Sequence, residues 1–170
     1  MKPTGRQLSL ELREDRGNFL RHRRVTAACA LISMASLGSI ALYQLGVFRR
    51  LPEPPLPGLD AEKVHGSAEA YRIFGTPDAV LGLGSYAATL GLAAMNGTNR
   101  AETHPWIPLA LAAKASLDAL QAAALTCKSW SRFKCFSLYS LVAALATWAA
   151  LPAVMPEARV AWLRFMGGRQ

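Results

Sequence analysis

The sequence predicts an all-α membrane protein: a bundle of four transmembrane helices with a long outer loop between the first and the second. Three observations predict it. The 170-residue chain is 52% hydrophobic and only 18% charged, values that a water-soluble domain rarely combines. Its apolar residues gather in four runs separated by turn-forming residues. Alanine, leucine and glycine dominate those runs, which suits close helix–helix packing in lipid.

Residues 1–24 form a basic tail, "MKPTGRQLSLELREDRGNFLRHRR". Its stretch from Leu8 to Leu20 reads either as a short interfacial helix or as an unstructured cytoplasmic tail. Val25–Phe48 carries no charge and exceeds the roughly 20 residues a span requires. It also starts too late and runs too long for the apolar region of a signal peptide. Ala79–Met95 is shorter and rich in small residues, with Gly82, Gly84 and Gly91 on packing faces. Trp106–Leu125 is apolar except for Lys114 and Asp118. Phe136–Met155 is the fourth span. The membrane domain is therefore placed at 25–156, with a cytoplasmic tail at 157–170.

The net charge of +8 does not point to nucleic acid. The basic residues flank apolar runs and form no continuous stripe, a pattern suited to anionic headgroups. Seven Lys and Arg precede the first span, so the N-terminus is placed inside. Four spans then put eleven Lys and Arg on the inner side and seven on the outer side. The expected location is the cell's inner (plasma) membrane, with both termini cytoplasmic and the lipid bilayer as the first partner.

The outer loop, 49–78, opens with four prolines that hold it extended. Asp60 is then placed to cap a short helix that includes Lys63 and Val64. A loop this long in so small a protein is expected to be functional. The three cysteines (Cys29, Cys127, Cys135) form no C-x-x-C and no Cys/His metal spacing, so no metal is expected. Cys29 lies in an apolar run and reads as a small buried hydrophobe. Cys127 and Cys135 bracket the predicted third loop, 126–135. They stand as a relocated redox pair, a structural disulfide or two unbridged thiols. Lys114 and Asp118, four apart, share a helix face. Intramembrane ions are costly and are usually paired or functional.

Three local patterns carry a resemblance. "GLDAEKVHGS" (Gly58–Ser67) is similar to a loop motif of two cysteines with seven residues between them, followed by serine. Lys63, Val64 and Ser67 match it, and the cysteine positions fall on Gly58 and Gly66. "IFGTPDAVLGLGSYA" (Ile73–Ala87) resembles an F-G-x-P turn entering a helix. "FSLYSL" (Phe136–Leu141) is similar to F-C-x-x-C-L: Phe136 and Leu141 match, Tyr139 stands at an aromatic position, and Ser137 and Ser140 hold the cysteine positions. A second register sets Cys135 and Leu138 there; the serine register keeps the Phe and the small-residue helix. These patterns, over residues 30–155, resemble the vitamin K epoxide reductase family, whose bacterial members pass electrons from thiols to a quinone.

The resemblance implies a pocket between the four helices, beneath the outer loop and beside the fourth-helix pair. The ligand-binding residues it suggests are Ser67, Lys114, Asp118, Phe136, Ser137, Tyr139 and Ser140. Lys114 and Asp118 would supply a structural ion pair, or a polar patch for a quinone carbonyl or a proton route. None of the four redox positions keeps a sulfur. A serine hydroxyl has no accessible two-electron couple, whereas a thiolate at a helix N-terminus can attack a disulfide. The leading expectation is a family member without thiol redox activity that holds a quinone or another flat apolar ligand, or serves as a subunit beside membrane protein partners. The alternative is a quinone-linked thiol/disulfide oxidoreductase using Cys127 and Cys135. A purely structural membrane protein is the third reading.

Overall fold

A computed structural model of the chain describes residues 5–14, 17–71 and 75–167. Ile73 and Phe74 of the second motif lie outside them, as do Lys2, Arg16 and Arg72. The described chain is helical: α1 (Gly5–Arg13), α2 (Leu20–Gln44), α3 (Ala61–His65), α4 (Asp78–Ala94), α5 (Arg100–Thr103), α6 (Trp106–Phe133) and α7 (Leu138–Gly167). A 3₁₀ turn covers Ala68–Tyr71, and no strand occurs among the described residues. By length and composition, α2 and α7 are able to cross a membrane; α4 is a shorter apolar helix.

The predicted runs all become helices, but their ends move. The loop expected at 126–135 is mostly helix, since α6 continues to Phe133. No glycine or proline interrupts it. Its polar side chains bond back to their own helix, Thr126 Oγ1 to the Ala122 carbonyl (2.8 Å) and Ser131 Oγ to that of Lys128 (3.1 Å). Lys134, at φ 56°, ends the helix in the left-handed region. The stretch predicted as a separate tail, 157–170, continues α7 as far as Gly167. That helix passes through Pro152 and Pro156 and buries Glu157, Ala158 and Ala161. Packing against neighbouring helices outweighs the two backbone hydrogen bonds the prolines remove.

Helix α2 packs against α4 and α7, and α6 packs against α7; α4 and α6 meet more lightly. Small side chains set the spacing. Cys29 packs with Ala146 and Ala150, while Ala93 and Ala115 pack with Leu111 and Val154. Gly82 faces Leu37 so closely that a built Cβ would lie 2.6 Å from its Cδ1. Gly84 and Gly91 face open space, so the predicted packing role holds at Gly82 only.

Polar groups tie the two ends. At one end Arg100, fully buried, makes paired 2.7 Å contacts from Nε and Nη2 to the Glu157 carboxylate. It also donates to the carbonyls of Leu92, Ala93 and Met95. Arg23 donates to the carbonyls of Ala93, Met95, Asn96 and Gly97. Two arginines therefore satisfy the carbonyls that the end of α4 leaves unpaired.

At the other end the long loop is strapped to the start of α7. Phe136 N–H donates to the Gly58 carbonyl (2.8 Å), and Asp60 N–H donates to the Phe136 carbonyl (2.9 Å). Asp60 caps α3 as its sequence position predicts, accepting from Lys63 N–H at 2.9 Å. Gln44, at the end of α2, donates to Asp78 at 2.8 Å and so links α2 to the start of α4.

Candidate functional site

Between α4, α6 and the start of α7, beside the strapped loop, a cavity of about 680 Å³ opens. Its floor is polar. Lys114 Nζ lies 2.6 and 2.5 Å from the two Asp118 carboxylate oxygens and 2.8 Å from Ser85 Oγ. Ser85 and Thr89 of α4 also donate to Asp118. This network ties α4 to α6, and Ser85 and Asp118 of it line the cavity. The i, i+4 spacing of Lys114 and Asp118 had already placed them on one face.

The roof is built from the loop and the first turn of α7. Ser137 and Ser140 both line the cavity, together with Phe136. Ser137 precedes α7 in the capping position, and its carbonyl accepts from Leu141 N–H. Its hydroxyl does not cap: it is 1% exposed and has no hydrogen-bond partner among the described residues. A buried hydroxyl without a partner costs about 1–3 kcal/mol. The first N–H of α7 is taken elsewhere, by Glu53 Oε1, which accepts from Leu138 N–H at 2.5 Å. Glu53 Oε2 accepts from Ala61 N–H, the first of α3, at 2.7 Å. One carboxylate thus caps two helices. Tyr139 turns away from the cavity and donates to the Pro52 carbonyl.

His65 completes the roof. It is 7% exposed, and its Nε2 lies 3.0 Å from Ser140 Oγ. Burial pushes its imidazole below the usual value; the Asp78 and Glu53 carboxylates act in the opposite direction. Ser67 stays local, donating to the Val64 carbonyl.

Of the residues singled out from sequence, the structure brings Asp118, Phe136, Ser137 and Ser140 to one cavity. Lys114 stands behind Asp118, whereas Tyr139 and Ser67 support the loop. Gly58 reaches the fourth-helix motif through its hydrogen bond to Phe136, and Gly66 directly follows His65. The two loop glycines therefore lie beside the two helix serines. Cys127 and Cys135 are free, the first exposed on α6 and the second buried. The helix from Cys127 to Phe133 alone rises about 9 Å, and the structure does not join the two sulfurs. Sequence reasoning missed His65 and Glu53. Neither carries a local signal for the site, because His65 meets Ser140 from 75 residues away and Glu53 meets Leu138 from 85 residues away.

Two outcomes follow from these placements. Glu53→Ala removes both caps and is expected to cost about 1 kcal/mol per cap. Hydrogen exchange at Ala61 and Leu138 should speed up together, and unchanged protection at both would refute the shared clamp. Among the cysteines, Cys127 alone is expected to react with a maleimide in the folded protein, with three labels after denaturation. Loss of the Cys127 label on mild oxidation, restored by reductant, would instead show a Cys127–Cys135 bridge.

The fold and the site define a protein that is all-helical among the described residues, with membrane-like helices and a cavity beside a strapped loop. Among the described residues, no group of three or more His, Cys, Asp or Glu is placed to hold a metal. The family model described as the vitamin K epoxide reductase family matches residues 24–155, and the chain belongs to that membrane-integral, quinone-associated family. No match comes from the curated proteins or from the solved structures.

Proposed function

We propose that the chain is an integral membrane protein of four spans that holds a quinone or similar flat apolar ligand and carries out no thiol redox chemistry. Helices α2, α4, α6 and α7 are the spans in this reading. Both termini are cytoplasmic and the protein lies in the inner membrane. The exposed apolar side chains of Leu31, Ile32, Leu117, Leu120 and Leu145 face lipid.

The observation that carries the reading is the cavity with the unpartnered Ser137 hydroxyl in its roof. A cavity of about 680 Å³ falls within the range of small-molecule sites, which combine apolar walls with a few polar groups that fix orientation. A ligand carbonyl bonded to Ser137 Oγ would satisfy that orphaned group. Phe136 offers a ring face; it stacks on Trp130 with centroids 5.3 Å apart. A bound quinone would supply two-electron acceptor chemistry. This chain would bind and orient it, with serines at both helix positions and glycines at both loop positions and so no thiol at any of the four.

Because Trp130 stacks on a cavity-lining ring, its fluorescence reports occupancy. Decyl-substituted quinone added to the protein in lipid nanodiscs should quench fluorescence saturably, and Ala122→Phe, which fills the cavity, should abolish the saturation. Linear quenching that is identical in the two proteins would end the ligand reading.

A further inference from the structure

The roof of the cavity holds an arrangement that ligand storage does not use. We propose that Ser140 and His65 form a nucleophile–base pair that transfers the acyl group of an apolar carboxylic ester to water. The proposal shares the cavity with the ligand-holding reading but needs no quinone.

Three features support it. The first is proximity: Ser140 Oγ and His65 Nε2 lie 3.0 Å apart, within the reach that activation of a serine hydroxyl requires. With the ring proton on Nδ1, Nε2 accepts from the hydroxyl. The second is the place of the pair. Ser140 stands in the first turn of the 30-residue α7, where the N–H groups of Tyr139 and Ser140 precede the first intrahelical acceptors. Such N–H groups stabilise developing negative charge. Glu53 occupies the Leu138 N–H only. The third is Ser137, three residues earlier on the same face. Its hydroxyl is 1% exposed, lines the cavity and lacks a partner, so it is free to donate to an oxyanion.

The step balances without a further reagent. Nε2 takes the Ser140 hydroxyl proton as Oγ bonds to the acyl carbon. The ester C–O bond breaks, and the leaving alkoxide takes that proton from Nε2. Water then adds to the acyl carbon and gives a proton to Nε2. The Oγ–C bond breaks, and the proton returns to Oγ. The cavity walls, with Leu37, Leu81, Leu125 and Leu141, select an apolar acyl or alcohol chain. Burial keeps His65 neutral, the form a base needs, against the opposing pull of Asp78 and Glu53. The rate should therefore stay flat through neutral pH and fall only below the ordinary imidazole value of about 6.5.

The test uses the full chain in lipid nanodiscs, a fluorophosphonate reporter and p-nitrophenyl esters of graded chain length. One equivalent of reporter should attach, and peptide mapping should place it on Ser140. His65→Gln should slow both labelling and ester cleavage about 100-fold, and Ser137→Ala should slow cleavage by about 100-fold. A wild-type protein that takes no label, or a label on Ser140 that forms equally fast in His65→Gln, would overturn the pair. Wild-type labelling requires no variant to fold. Quinone quenching read on the same sample keeps the two readings separate: either result can fail while the other stands.

Discussion

Replacing Arg100 by Ala should lower stability by about 3–5 kcal/mol, the cost of leaving a buried charge without its partner. Arg100 is fully buried, and Glu157, 57 residues away, is 3% exposed. Without the guanidinium, the Glu157 carboxylate loses two short hydrogen bonds, and the carbonyls of Leu92, Ala93 and Met95 lose a donor. Arg23 still reaches Ala93 and Met95 but not Leu92. The double change Arg100→Met with Glu157→Leu should be milder than Arg100→Ala, because it removes both charges together. Unfolding in mixed micelles measures all three proteins. Equal losses in the single and double changes would show that the arginine serves α4 and not the ion pair.

Placing cysteine at Ser137, Ser140, Gly58 and Gly66 should divide sharply between helix and loop. Ser137→Cys with Ser140→Cys is nearly isosteric and should leave the fold intact. Gly58→Cys with Gly66→Cys should cost about 3 kcal/mol in sum. Gly58 has φ +87°, a region where a side chain costs about 1–2 kcal/mol. At Gly66 a built Cβ would lie 2.6 Å from the Glu62 carbonyl oxygen and 3.1 Å from the Tyr43 hydroxyl, an overpacking that costs about 1–3 kcal/mol. Both loop positions therefore resist a side chain, Gly58 by its backbone angle and Gly66 by its close neighbours. Thermal midpoints of the two pairs measure the difference. A loop-pair protein as stable as the wild type would mean that the loop still accepts side chains there.

The parts of the site legible in the sequence are those whose partners lie close along the chain. Asp60 announces its helix because its acceptor and the Lys63 N–H are three residues apart. Lys114 and Asp118 announce their pair because a helix brings i and i+4 together. Ser137 and Ser140 are legible as a pair, since one helical turn sets both on one face. Glu53 looks like one more charge in a proline-rich loop, yet it bridges two helix starts. His65 looks like a solitary histidine until α3 folds over Ser140. The misread third loop has the opposite cause. Its serines suggested a turn, but α6 runs through them, with the Thr126 and Ser131 hydroxyls bonded to their own helix.

The sequence by itself determined that four apolar stretches become helices and that a capped loop joins the first two. Each of these follows from residue type and local spacing. Only the tertiary structure decided that Arg100 meets Glu157, that Glu53 straps the loop down, and that a cavity lies between α4, α6 and α7 against Ser137. Those outcomes depend on which helix faces meet. Helices lined with alanine and glycine approach closely on many faces, and the few buried polar groups that must find partners select among them.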